Sequence, residues 1–82
     1  MRIVRQCGCG KCEQITLDDQ EWQQYSKWRA GEIYIQEIKT LNACEREFIK
    51  TGLCRACQKM IFNNGKSDRI KSARHNEIGV WA

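Results

Sequence analysis

The chain predicts a small α+β domain: a β-hairpin at the start, then two or three short helices. Three observations predict it. Cys-x-x-Cys occurs twice, at Cys9–Cys12 and at Cys54–Cys57. The first pair is flanked by short alternating, β-prone runs, which read as the two arms of a hairpin. Between the pairs lie two stretches with helix start and stop signals.

The arms are Ile3 to Gln6 and Glu13 to Leu17, where Ile15 and Leu17 alternate with polar neighbours. Gly8 and Gly10 suit a tight knuckle that needs positive φ. Asp18 or Asp19 then caps a first helix near residues 19–30, Glu21 supports its first turn, and Gly31 ends it. Trp22, Tyr25 and Trp28 recur at helical spacing, which places an aromatic stripe against the core. Residues 33–41 carry Ile33, Ile35, Ile38 and Leu41 and read as a second helical segment. Asn42 and Glu45 form a capping box for a helix near residues 43–51, which stops at Gly52. Met60, Ile61 and Phe62 follow the second cysteine pair and are expected to pack on the metal site or the helices. Asn63-Asn64-Gly65 is a breaker. The division expected is a folded part, 1–64, and a basic tail, 65–82. The tail has too few apolar side chains to offset the entropy of ordering it, so it is expected to be mobile.

A Cys-x-x-Cys turn aims two thiolates at one point, and two such turns complete a tetrahedral shell. The ligands predicted are Cys9, Cys12, Cys54 and Cys57, and the ion is Zn2+. Cys7 stands beside Cys9 and offers an alternative to it. Cys44, in the first turn of a helix, reads as a small buried hydrophobe. His75, the sole histidine, lies far past the last cysteine and reads as a surface residue. An iron–sulfur cluster also takes four thiolates, but the symmetrical pairs and the absence of a tight cysteine triplet before a proline favour zinc. No leader-like apolar stretch opens the chain, so the cytoplasm is the expected compartment, where cysteines serve as metal ligands rather than disulfides. No apolar run is long enough to span a membrane.

Nothing in the sequence reads as catalytic. Four thiolates close the metal shell, whereas a hydrolytic zinc keeps an open position. No glycine-rich phosphate loop, Ser–His–Asp set or deaminase pattern is present, and no small-molecule substrate is implied.

Charge is unevenly distributed about a net of +4. Residues 13–47 carry eight acids and four bases, whereas residues 55–75 carry six bases and one acid. A metal joining the two cysteine turns brings the basic start and the basic end to one side. That side predicts nucleic acid as partner, through Arg2, Arg5, Lys11, Arg55, Lys59, Lys66, Arg69, Lys71 and Arg74. The alternative is an inhibitor or adaptor that docks on a protein, and it predicts an exposed apolar patch involving Trp28, Tyr34 or Trp81.

Trp28-Arg-Ala-Gly31, Ile35-Gln36, Glu45-Arg46-Glu47-Phe48-Ile49, then Thr51-Gly52-Leu53-Cys54-Arg-Ala-Cys57 and Phe62, resemble a family of small zinc-ribbon-like proteins encoded by bacteriophages and prophages. The resemblance spans roughly residues 7–62 and departs at Gln58, where the family commonly has an aromatic residue. It implies a phage origin, hence the host cytoplasm, and a zinc site. It implies no activity. The reading is therefore a zinc-ribbon- or treble-clef-like domain, non-enzymatic, acting on nucleic acid or on host machinery such as RNA polymerase or a defence complex.

Overall fold

The structure is a computed structural model that describes residues 1–81. Strands β1 (Arg2–Gln6) and β2 (Cys12–Thr16) form the hairpin, with Ile3 opposite Ile15 and Arg5 opposite Glu13. Strand side chains alternate between faces. One face of the hairpin therefore carries Ile3, Arg5, Glu13 and Ile15. The other carries Arg2, Val4, Gln6, Cys12, Gln14 and Thr16. The first face meets the helices: Ile3, Ile15 and Leu17 join Ile35, Ile38, Leu41, Cys44, Phe48, Ile49 and Ile70 in one apolar core.

Helix α1 (Asp19–Arg29) starts at a complete capping box in which Asp18 accepts from the Glu21 N–H and Glu21 accepts from the Asp18 N–H. Trp22, Tyr25 and Trp28 lie half-buried along it and pack against the core, with Trp22 and Tyr25 stacked at 5.1 Å and Tyr25 and Trp28 tilted at 5.8 Å. Helix α2 (Ala43–Thr51) starts at the Asn42–Glu45 box and ends at Gly52, whose φ is +82°.

Residues 33–41 depart from the expected helical segment. They form a single 3-10 turn, Ile35–Glu37, with Ile38 N–H donating to Ile35 and Leu41 N–H to Ile38. The i, i+3 recurrence of Ile35, Ile38 and Leu41 is met by consecutive three-residue turns, and all three side chains are buried.

The second cysteine pair opens helix α3 (Arg55–Phe62), with Cys54 as its N-cap residue. One metal-directed pair sits on a knuckle and the other on a helix start, which is the treble-clef-like variant of the expected fold.

The tail is part of the fold, against expectation. Strands β3 (Lys71–Ser72) and β4 (Gly79–Trp81) complete an antiparallel sheet of order β3-β2-β1-β4. Since β3 and β4 lie at opposite edges, residues 73–78 must cross the sheet. Arg2 donates to Glu77 and to Gln14, which places that crossing on the face bearing Val4 and Cys12 and accounts for the burial of both. Ile70 is fully buried in the main core. Both capping-box glutamates serve twice: Glu45 also accepts from Ser67 Oγ, and Glu21 from the Arg69 guanidinium at 2.7 and 2.8 Å. One apolar anchor and two buried carboxylates thus supply what the sparse apolar content of the tail lacks. The division at residue 64 does not correspond to a structural boundary. Among the described residues no helix is long and apolar enough to cross a membrane.

Candidate metal centre

The hairpin turn is closed by Cys7 N–H donating to the Lys11 carbonyl at 2.8 Å and Gly10 N–H to the Cys7 carbonyl at 2.9 Å. Gly10 adopts a φ of +99°, which a side chain would disfavour. Cys7 continues the parity of Ile3 and Arg5 and faces α3. Cys9 follows at the exposed tip.

Across from the knuckle, Cys54 and Cys57 stand at the N-cap and third position of α3. The Cys57 N–H donates to Cys54 Sγ at 3.4 Å. The Sγ atoms of Cys7, Cys9, Cys54 and Cys57 all lie within 4.8 Å of one another, with Cys7–Cys57 and Cys9–Cys54 each at 3.6 Å. A tetrahedron of thiolates at about 2.3 Å from zinc has edges of about 3.8 Å, so the four sulfurs fit the ion. A disulfide needs about 2 Å.

Cys12 stands outside this cluster, and Cys7 takes the place predicted for it. Cys12 opposes Gln6 in the hairpin register, so its side chain points to the sheet face away from α3. Its neighbour Glu13 points towards α3: the carboxylate accepts from the Arg55 backbone N–H and Nε, both at 2.9 Å, and pairs with Nη2 at 2.8 Å. Cys9, Cys54 and Cys57 are brought together as predicted. Cys44 is buried apart from them, and burial pushes its thiol up. His75 is exposed in a 3-10 turn.

Three supporting residues were not legible as such in the sequence. Glu13 caps the first turn of α3 and ties it to the hairpin. Its one signal is a charge at a core-facing position beside Ile15 and Leu17. Arg5 Nη1 donates to the Ile49 carbonyl at 2.7 Å, holding the end of α2 at the knuckle strand. Gln58, 1% exposed, donates from its side-chain amide to the carbonyls of Cys44 and Leu53 at 3.1 and 3.0 Å. That bonding accounts for a polar residue at a buried position.

The thiols are poised unequally. Burial by itself raises Cys7, but hydrogen bonds from the Cys9 and Cys54 backbone and from the Cys57 and Cys9 thiols outweigh it and bring it down to about 6. Hydrogen bonds with Cys54, Cys7 and Cys9 push Cys57 up to about 12. Burial raises Cys54. Four clustered thiols cannot all ionise unaided; a cation supplies the charge that stabilises them together.

The nine predicted nucleic-acid residues do not form one open surface. Arg2 pairs with Glu77, Arg5 with the Ile49 carbonyl, Arg55 with Glu13, and Arg69 with Glu21 and the Thr16 carbonyl. Lys11, Lys59, Lys66, Lys71 and Arg74 remain exposed. Lys11, Arg55 and Lys59 line one shallow depression, and Lys66 lines another beside Arg55. The expected packing of Met60, Ile61 and Phe62 is also reversed, because all three are exposed. Tyr34 and Trp81 are exposed as well, whereas Trp28 is half-buried.

No family model, curated protein or solved structure matches the chain.

Proposed function

We propose that the protein is a non-enzymatic binding module, held together by one structural zinc ion, that acts by docking on another protein. Cys7, Cys9, Cys54 and Cys57 would hold the ion. Four thiolates fill its shell, so it would fix α3 against the hairpin and offer no position to a substrate. The observation that carries the docking reading is the solvent exposure of Tyr34, Met60, Ile61 and Phe62, outside the core. The resemblance to small phage-encoded proteins supports a target in host machinery, such as RNA polymerase or a defence complex.

Nucleic acid is the second reading. Lys11, Lys59 and Lys66, grouped about Arg55, favour it. The internal pairing of four arginines, three with carboxylates and Arg5 with a backbone carbonyl, weighs against it, since a guanidinium already held in this way offers less to a phosphate. Native mass spectrometry is expected to find one zinc per chain. Capture from host lysate is expected to survive nuclease treatment. Capture abolished by nuclease, or binding to duplex DNA that weakens steeply with salt, returns the nucleic-acid reading.

A further inference from the structure

Helix α3 is turned the wrong way round for a helix with no partner. Leu53, just before it, and Ala56, Cys57, Met60 and Ile61 recur at i, i+3, i+4, i+7 and i+8, the spacing of one helix face. Leu53 and Cys57 are half-buried at the metal centre, but the stripe runs out into solvent beyond them: Met60 is 83% exposed, Ile61 60% and neighbouring Phe62 53%. The inward face presents Cys54 and Gln58, both buried. Rotating the helix to bury Met60 would turn Cys54 and Gln58 out of the interior and displace Cys57 from the knuckle sulfurs. It would also break the bonds from Gln58 to Cys44 and Leu53. On the far flank, Gly65 packs so close that a Cβ there would lie 2.2 Å from the Arg55 carbonyl oxygen, which leaves no room for rotation. The apolar end of the helix, Met60 to Phe62, is therefore held in solvent by a fixed first turn, an arrangement that reduces the ordering cost of binding.

Charge identifies the occupant. From Lys50 to Ser67 the chain carries four bases and no acid. Arg55 is neutralised by Glu13. A zinc–tetrathiolate centre is net negative, but it sits at the N-terminal end of α3, while Lys59 stands on the second turn and shares a shallow depression with Lys11 and Ala56. A second copy of the chain on this stripe would present the same patch and set these lysines against each other. We infer that the outward face of α3 is the docking site for an acidic amphipathic segment of a partner protein. Its apolar side chains at helical spacing would cover Met60, Ile61 and Phe62, and its flanking carboxylates would meet Lys59 and Lys11. The inference rests on the docking reading above and adds the surface and the chemistry of the partner.

The test selects a random-peptide display library against the full-length, zinc-loaded protein. Enriched peptides are expected to carry apolar residues at helical spacing and a surplus of Asp and Glu. A selected peptide, synthesised, should lose affinity by about tenfold or more on Met60→Ser or Ile61→Ser. It should be unaffected by Tyr34→Ser. Zinc content of each variant, read by native mass spectrometry, keeps failure of the metal centre separate from failure of the surface. Enrichment of basic peptides overturns the inference. So does affinity that ignores Met60 and Ile61, or a dimer in sedimentation that Ile61→Ser dissociates. Duplex DNA binding that depends on Ile61 overturns it too. Nuclease-resistant capture from lysate that persists in Ile61→Ser leaves the docking reading standing and removes this surface from it.

Discussion

Arg69 is the residue that converts an apparent tail into structure, and replacing it with methionine tests that role. Its guanidinium grips both oxygens of Glu21 at 2.7 and 2.8 Å and donates to the Thr16 carbonyl at 2.8 Å, so it joins the tail to α1 and to the end of β2. Glu21 is buried, and its carboxyl falls from the ordinary 4.5 to about 2. The Arg69 hydrogen bonds are the chief cause; burial opposes them, and bonds from Thr40 and the Asp18 backbone assist. That displacement corresponds to about 3 kcal/mol at most. Arg69 is one-third exposed, and solvent screening lowers the contribution to about 2 kcal/mol. Arg69→Met should therefore destabilise the domain by about 2 kcal/mol, or lower its melting temperature by roughly 10 °C. The assay is urea denaturation at fixed excess zinc with reductant, because bound metal shifts apparent stability. Combining Arg69→Met with Glu21→Gln should cost less than the two losses added, since the second change removes the carboxylate left unpaired by the first. The pH dependence has a definite sign. A depressed carboxyl contributes fully above its unfolded value and loses that contribution as pH falls from about 4.5 towards 2. The Arg69 effect should then be the same at about pH 7.5 and pH 5.5. A loss below about 0.5 kcal/mol, or strict additivity with Glu21→Gln, would refute the reasoning.

Three further outcomes are expected. Cys7→Ser should abolish stoichiometric zinc binding, whereas Cys12→Ser should keep it and cost about 1 kcal/mol, both read by native mass spectrometry and denaturation; the reverse pattern would show that the hairpin register is wrong. Deleting residues 65–82 removes Ile70, both outer strands and the partners of Glu21 and Glu45, so the remainder should lose cooperative thermal unfolding by circular dichroism. Gly65→Ala forces a Cβ to within 2.2 Å of the Arg55 carbonyl oxygen and should cost about 1–3 kcal/mol, seen as a lowered urea midpoint.

The elements that local chemistry governs were legible. The cap of the first helix at Asp18 or Asp19, which the structure resolves to Asp18, the Asn42 capping box, the stop at Gly52 and the hairpin about Gly10 each depend on residues a few positions apart. The existence of a four-cysteine site was legible for the same reason, since each pair is local. The membership of that site was not. Cys-x-x-Cys spacing names Cys12, but Cys12 belongs to a strand, where a one-residue step reverses the face on which a side chain emerges. The helical segment expected at 33–41 failed because spacing by three serves a chain of 3-10 turns as well as a helix.

By itself, then, the sequence determined a hairpin, two capped helices and thiolates enough for one metal. Tertiary structure decided which cysteines meet, which bases are already paired and what the tail does. These depend on groups far apart in the chain. Glu21 finds Arg69 forty-eight residues on, and Glu13 finds Arg55 forty-two residues on. The direction in which α3 faces was decided in the same way. Its own apolar stripe asks to be buried. The demand that Cys54 and Cys57 meet Cys7 and Cys9, together with the bonds that hold Gln58 inside, overrides that preference and leaves Met60, Ile61 and Phe62 in solvent.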